Sequence, residues 1–213
     1  MSGPLVATVA DPPAPDAAFA RVGHRPHALW LDSSADVAGT GAWSFVAADP
    51  YAVLRADGGR VAWLTPGGIR PAGRPVFAEL TAALADASAG APAAIPFDGG
   101  AAGFVSYEAA AAFERLPPPL PRDHGLPDVH LAFYDVVAGW DHATGECRVV
   151  STGRPATGRE RARRAERRLA AALAWLTGSG MPGPPLVERG AGARRRLAAG
   201  PIPSRPVEDV AWL

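Results

Sequence analysis

Short apolar runs separated by glycine and proline turns constrain the fold of this chain most strongly. Of its 213 residues, 24 are Gly and 23 are Pro. Glycine accepts the positive φ of tight turns, whereas proline interrupts strand ladders. Apolar runs at 27–32, 43–47, 51–55 and 60–64 therefore predict strands, the first of them buried, and residues 57–59 predict a hairpin turn between the last two.

Helical patterns interrupt this series of hairpins at two places. Apolar residues spaced three and four apart follow Pro75, and a second such pattern runs over 157–177. A long strand at 129–138 is predicted to pair back with 147–150. Strand and helix do not alternate regularly, so the sequence predicts an α+β fold of antiparallel β-sheet hairpins flanked by a few helices.

Composition divides the chain into four predicted regions. They are a flexible, acidic and proline-rich N-terminus at 1–24, a sheet domain at 25–152, an amphipathic helix at 153–178, and a linker with the truncated start of a further domain at 179–213. The last prediction rests on the Gly- and Pro-rich stretch after residue 178 and on the apolar residues at the end of the chain.

Charge and cysteine content exclude several classes of chemistry. The formal net charge is zero, and all 21 basic residues are Arg, so no lysine nucleophile, Schiff-base lysine or P-loop lysine exists. Cys147 is the single cysteine, which rules out an intrachain disulfide. No signal peptide and no membrane-length apolar run is present. These features predict a cytoplasmic protein without nucleic-acid or membrane partners.

Two local patterns could support chemistry but lack the required context. His24, His27 and Asp32 contain metal-ligating groups, yet they lack the spacing of a metal site, and surface histidines are the simpler interpretation. Ser33 and Ser34 are not surrounded by a G-x-S-x-G elbow. The sequence therefore predicts no catalytic residue and no metal site.

Two further patterns have simpler structural interpretations. Gly99, Gly100 and Gly103 lack the G-x-G-x-x-G order of a dinucleotide cradle, so a strand with close backbone approach or a bulge is predicted instead. The arginines at 159–168 are diluted by glutamates and lack interleaved aromatic residues, so a solvated helix face is favoured over a nucleic-acid site.

Three segments together resemble a known family. They are Ala28-Leu29-Trp30-Leu31-Asp32-Ser33; Trp43-Ser44-Phe45 with Asp49-Pro50; and Pro96-Phe97-x-Gly99-Gly100 with Gly103, Tyr107-Glu108, Leu126-Pro127-Asp128, Tyr134-Asp135 and Asp141-His142. They resemble the N-terminal domain of component I of aminodeoxychorismate synthase and of its close relative anthranilate synthase component I. The resemblance covers about 26–150.

The resemblance implies a function for a larger protein. Such enzymes convert chorismate and ammonia to 4-amino-4-deoxychorismate on the route to 4-aminobenzoate and folate, with Mg²⁺ and a glutaminase partner (component II). Their catalytic and metal-binding groups lie in a chorismate-binding domain whose motifs are absent here. The chain is therefore expected to be a scaffold or regulatory part without catalysis of its own.

Two alternatives to this interpretation stay open. The segment Pro96-Phe97-Asp98-Gly99-Gly100 and the short connection between the first two strands favour the folate branch. The first alternative is the N-terminal part of anthranilate synthase component I, with tryptophan feedback. The second is a stand-alone amino-acid-binding or interaction module.

The resemblance also implies a ligand. In relatives an L-tryptophan molecule lies in this domain, and the matching positions here are Ser33, Thr40, Gly41, Ala42 and Trp43. A serine hydroxyl and loop backbone groups can meet the ammonium and carboxylate of an amino acid. The alternative, in which Ser33 only ends a strand, stays open.

Overall fold

The computed structural model describes residues 3–33, 41–88, 93–115 and 125–178. The strands are β1 Leu5–Val9, β2 Leu29–Leu31, β3 Trp43–Ala47, β4 Ala52–Asp57, β5 Arg60–Thr65, β6 Gly68–Pro71, β7 Gly100–Val105, β8 Val129–Tyr134, β9 Val136–Asp141 and β10 Cys147–Ser151. The helices are α1 Pro15–Val22, α2 Val76–Ser88, α3 Gly158–Leu176 and a 3₁₀ helix, Tyr107–Ala112. Residues 179–213, predicted as a linker and a truncated domain, lie outside the described residues.

The strands form two antiparallel sheets of five strands each. The first sheet has the order β1-β10-β9-β3-β2 and the second β6-β5-β4-β8-β7. Strand β8 belongs to the second sheet and β9 to the first, and only Asp135 separates them. The chain therefore passes from one sheet to the other at this single residue.

Side-chain alternation along the strands produces four layers. On β9, Val136 and Trp140 pack with α1 and α3, whereas Val137 packs between the two sheets. On the second sheet, Leu54 and Phe133 lie in the core that α2 covers. Because both sheets are buried on both faces, the order is helices, sheet, sheet, helix. This arrangement confirms the predicted α+β class.

The prediction of a flexible N-terminus at 1–24 is wrong for most of that segment. Strand β1 pairs with β10, from Leu5 opposite Ser151 to Val9 opposite Cys147. Helix α1 then buries Val22 completely. The short run of alternating residues in β1 completes an edge of the first sheet, and Trp140 Nε1 donates to the Pro13 carbonyl at 2.9 Å.

The strand predicted as buried at 27–32 is instead a three-residue edge strand. It forms the end of the first sheet, where β2 pairs with β3. Trp30 and Leu31 are 38% and 42% exposed. The apolar composition correctly indicated a strand, but the edge position leaves part of its surface uncovered.

The glycine-rich strand β7 lies unusually close to its neighbour. Gly103 has φ +154°, and a Cβ there would lie 2.0 Å from the His130 carbonyl oxygen on β8. Only a glycine fits at this separation. The predicted close backbone approach is therefore confirmed.

The arginines of α3 are not all on a solvated face, in contrast to the prediction. Arg164 Nε and Arg168 Nε donate to the two carboxylate oxygens of Asp135, at 2.9 and 3.0 Å. Arg161 Nε donates to the Thr152 carbonyl at 2.8 Å. Asp135 is completely buried, so the arginines on this side of α3 attach the helix to the junction between the sheets.

No helix in the described ranges is both long and apolar enough to cross a bilayer.

Candidate functional site

Three strand ends bring four polar residues together at one corner of the first sheet. Asp32 and Ser33 follow β2, Ser44 lies in β3, and His142 follows β9. Antiparallel pairing of β2 with β3 and of β3 with β9 places these positions side by side. Asp32, Ser33, Ser44 and His142 are called the corner cluster below.

Ser44 is the centre of the corner cluster. Its side chain is completely buried, and its hydroxyl donates to Asp32 Oδ1 at 2.7 Å. His142 Nε2 lies 2.8 Å from the same hydroxyl oxygen. The backbone N–H of Ser33 points at this oxygen from 3.4 Å. Asp32 and His142 themselves are exposed, so the cluster joins a buried hydroxyl to two surface groups.

The donor and acceptor roles in the cluster follow from the single hydroxyl hydrogen. An ionised carboxylate only accepts hydrogen bonds, so the Ser44 hydrogen is directed to Asp32. The contact with His142 then requires a hydrogen on Nε2, which is an assignment from the network. The chain of donors runs from His142 through Ser44 to Asp32.

This combination of residues is not a nucleophilic triad. In such a triad the carboxylate binds the second histidine nitrogen and the serine is open to substrate. Here Asp32 binds the serine itself, and Ser44 is completely buried. Burial also raises the pKa of the Cys147 thiol to about 12, which disfavours thiolate chemistry at neutral pH.

His27, one of the histidines considered for a metal site, contacts a residue of the second sheet. His27 Nδ1 is 3.2 Å from His130 Nε2 on β8 rather than beside Asp32. Within the ranges 3–33, 41–88, 93–115 and 125–178, no group of three or more His, Cys, Asp or Glu could hold a metal ion. The described part of the chain therefore does not fit a Mg²⁺ site of its own. Ser34 lies outside the described residues.

The structure brings together only some of the residues that the family resemblance implies. Ser33 is part of the corner cluster. Gly41 has φ +85°, and the Ala42 carbonyl accepts the His142 backbone N–H at 2.9 Å. Trp43 is adjacent to Ser44 on β3 and so points to the other face, where its ring stacks on Phe45. Thr40 lies outside the described residues.

Sequence reasoning missed Ser44 and His142. Both residues occur in segments that carry the family resemblance, but those segments are separated by nearly a hundred residues. Their proximity depends on the register that places Leu31 opposite Phe45 and Ser44 opposite Trp140. The alternation of apolar and polar residues along a strand does not determine which residues of two strands lie opposite each other.

A separate cleft of about 300 Å³ adjoins the glycine-rich strand. It is lined by Asp98, Gly99, Gly100, Arg154 and neighbouring residues. Burial raises the pKa of Asp98, and the charge of Arg154 partly offsets this effect. This cleft is one further candidate location for a small ligand among the described residues.

Comparison with curated proteins gives a consistent set of relatives. The chain is 31% identical over 149 residues to anthranilate synthase component 1 of Mycolicibacterium smegmatis, covering 67% of this chain and 28% of that protein. It is 40% identical over 105 residues to the Thermus thermophilus protein of the same name, covering 49% of this chain and 21% of the relative. The chain therefore spans less than a third of the length of these relatives. No protein-family model matches it.

A solved structure supports the fold. Anthranilate synthase component I from Streptococcus pneumoniae superposes with a TM-score of 0.53 and 23% identity, covering 84% of this chain and 37% of that one. The match lies in the N-terminal part of that protein. Together with the curated relatives, it shows that the chain belongs to the anthranilate synthase component I family and corresponds to the N-terminal part of its members.

Proposed function

We propose that this chain is the amino-acid-binding, regulatory part of an anthranilate synthase component I-like protein, and that it does not catalyse the reaction of that protein. The observation that carries the proposal is the corner cluster. It places an exposed carboxylate, Asp32, beside Ser33 in the segment that resembles the tryptophan site of relatives.

The chemistry of the corner suits the polar groups of an α-amino acid. Asp32 offers a carboxylate for an ammonium, and the bond between them would be charge-assisted. The backbone at Ala42 borders the same corner, because the His142 backbone N–H donates to the Ala42 carbonyl, and we propose that backbone N–H groups next to it meet the ligand carboxylate. The half-exposed ring of Trp30 lies on the Ser44 face of the sheet, because Trp30 pairs with Val46. An aromatic amino acid, L-tryptophan above all, is the proposed ligand.

The anthranilate branch is preferred to the aminodeoxychorismate branch. The relatives reported above all carry the name anthranilate synthase component 1 or I. The segment at 96–100 favoured the folate branch in the sequence, but these relatives support the alternative better. We therefore assign the proposed regulatory role to a protein that makes anthranilate.

We propose that the remaining parts of the activity reside in the chorismate-binding domain of the family. Mg²⁺, chorismate and ammonia from a glutaminase partner would act at a chorismate-binding domain. The described residues offer neither a metal cluster nor a lysine. No catalytic step is therefore assigned to this chain.

Calorimetric titration with L-tryptophan tests the proposed site. We expect measurable, weak binding to the unmodified chain and its loss in Asp32→Asn. The matched control is Asp57→Asn, which removes one exposed carboxylate at the hairpin of the second sheet. Equal affinity in Asp32→Asn and the unmodified chain would refute the assignment of the site.

A second assay tests the non-catalytic role. The chain supplied with chorismate, Mg²⁺ and ammonia is expected to form neither anthranilate nor 4-amino-4-deoxychorismate. Turnover that increases with the concentration of the purified chain would contradict the proposal.

A further inference from the structure

We propose that Ser44 and His142 are positioning residues that orient the Asp32 carboxylate towards the ammonium group of the bound amino acid. This inference rests on the proposed function, because it assigns a role to two residues within the same site. Neither residue needs to touch the ligand. Both act through Asp32, which contributes the contacting atom.

Among the described residues, the structure shows a hydrogen bond to one oxygen of the Asp32 carboxylate. Ser44 donates to Oδ1 at 2.7 Å, and this bond fixes the rotation of the carboxylate on an exposed segment. The other oxygen then points in a defined direction and can accept from an ammonium. Orienting a group before binding lowers the conformational entropy lost on binding, which strengthens affinity without adding a contact.

The hydroxyl that holds Asp32 is itself buried. Ser44 is completely buried, so water does not compete for its hydrogen. Hydrogen bonds in such surroundings are stronger, and successive bonds polarise one another. A donor on His142 Nε2 therefore makes the Ser44 hydroxyl a better donor to Asp32.

His142 contacts both sides of the corner. Its ring contacts Ser44, and its backbone N–H donates to the Ala42 carbonyl at 2.9 Å. This one residue thus connects the ammonium anchor to the backbone that borders the proposed carboxylate position.

A pair of ligands separates this role from general stabilisation. Tryptophan and indole-3-propionate share the indole and the carboxylate, but the second lacks the ammonium. We expect Ser44→Ala to weaken tryptophan binding roughly tenfold, equivalent to about 1.4 kcal/mol, and to leave indole-3-propionate affinity unchanged. His142→Ala should act in the same direction, and His142→Gln, which retains a side-chain N–H donor, should restore much of the affinity.

Ser151→Ala is the matched control for loss of a buried hydroxyl. Ser151 is completely buried on β10, and its hydroxyl has no hydrogen-bond partner among the described residues. This variant should bind both ligands like the unmodified chain. If Ser44→Ala lowers the affinities for tryptophan and indole-3-propionate equally, the role of Ser44 is merely structural and the inference is overturned.

Nitrogen NMR of the His142 ring provides an independent readout. At neutral pH we expect hydrogen on Nε2 in the unmodified chain, and a mixture of the two ring forms in Ser44→Ala. Hydrogen on Nδ1 alone would overturn the inference even where tryptophan binds.

If the unmodified chain does not distinguish tryptophan from indole-3-propionate, the proposed amino-acid site fails and the positioning role with it. If it distinguishes them and Ser44→Ala does so equally well, only the positioning role fails.

Discussion

Two carboxylates of this molecule, Asp135 and Asp32, differ in nearly every physical respect. Asp135 lies between β8 and β9, is completely buried, and has each oxygen bound by an arginine of α3. Asp32 follows the edge strand β2, is exposed, and has Oδ1 held by the Ser44 hydroxyl. The comparison distinguishes a carboxylate that holds the fold from one that is positioned for a ligand.

The difference follows from desolvation. Removing a carboxylate from water costs several kcal/mol unless opposite charges and hydrogen bonds offset it. Arg164 and Arg168 supply both at the junction of the two sheets. Asp32 is exposed to water and has no arginine partner among the described residues, so its carboxylate stays accessible to an ammonium.

The largest expected effect is the loss of Asp135. Asp135→Ala removes the shared acceptor of Arg164 and Arg168 at the point where the chain changes sheets. Breaking a buried ion pair costs about 3 to 5 kcal/mol, and we expect the lower part of this range because both arginines retain partial contact with water. Urea unfolding measures the change. A loss of unfolding free energy below about 1 kcal/mol would contradict the claim that Asp135 holds the fold.

Removing one of the two arginines should cost less. Arg168 also donates to the Asp49 carbonyl at 2.7 Å, so Arg168→Ala removes contacts with two segments. A hydrogen bond to a charged group contributes about 1.5 to 3 kcal/mol, and Arg164 still neutralises Asp135 in the variant. We expect a loss of about 2 kcal/mol in the same unfolding experiment. A loss larger than that of Asp135→Ala would contradict this ranking.

The substitution Asp32→Asn is expected to change stability by less than about 1 kcal/mol, because an exposed carboxylate loses little on neutralisation. Its effect should appear in ligand binding instead. Thermal unfolding of the variant beside the unmodified chain measures the first quantity. Destabilisation as large as that of Arg168→Ala would mean that Asp32, too, mainly holds the fold.

The smallest effect is expected at Arg167, which lies on the outer side of the same helix. Its ion pair with Glu160 leaves both side chains more than half exposed. The hydrogen bond from Arg167 lowers the pKa of Glu160, yet solvent screens such pairs strongly. We expect no measurable change in the unfolding midpoint for Arg167→Ala. A clear decrease in the unfolding midpoint would show that exposure does not distinguish Arg167 from the arginines that bind Asp135.

Local sequence patterns predicted much of the fold. The hairpin between β4 and β5 was predicted from its turn, where Gly58 and Gly59 both have positive φ. The helix expected at 157–177 is present as α3. These elements depend on residues near one another in the chain, where periodicity and turn chemistry carry the information.

Features that depend on distant pairing were harder to predict. The segment 1–24 was expected to be flexible because its prolines dominate its composition, but β1 is stabilised by pairing with β10, about 140 residues later. The inner arginines of α3 were assigned to solvent because their acceptor, Asp135, lies on another element. Ser44 and His142 were missed for the same reason, since the register between strands brings them together.

Mapping of amide chemical shifts during a titration with L-tryptophan tests the central claim most directly. The account predicts that the largest changes occur at Ser33, Ser44 and His142, with little change around Asp135. Changes confined to the cleft at Asp98 and Arg154, or no change at millimolar tryptophan, would contradict the assignment of the corner cluster as the amino-acid site.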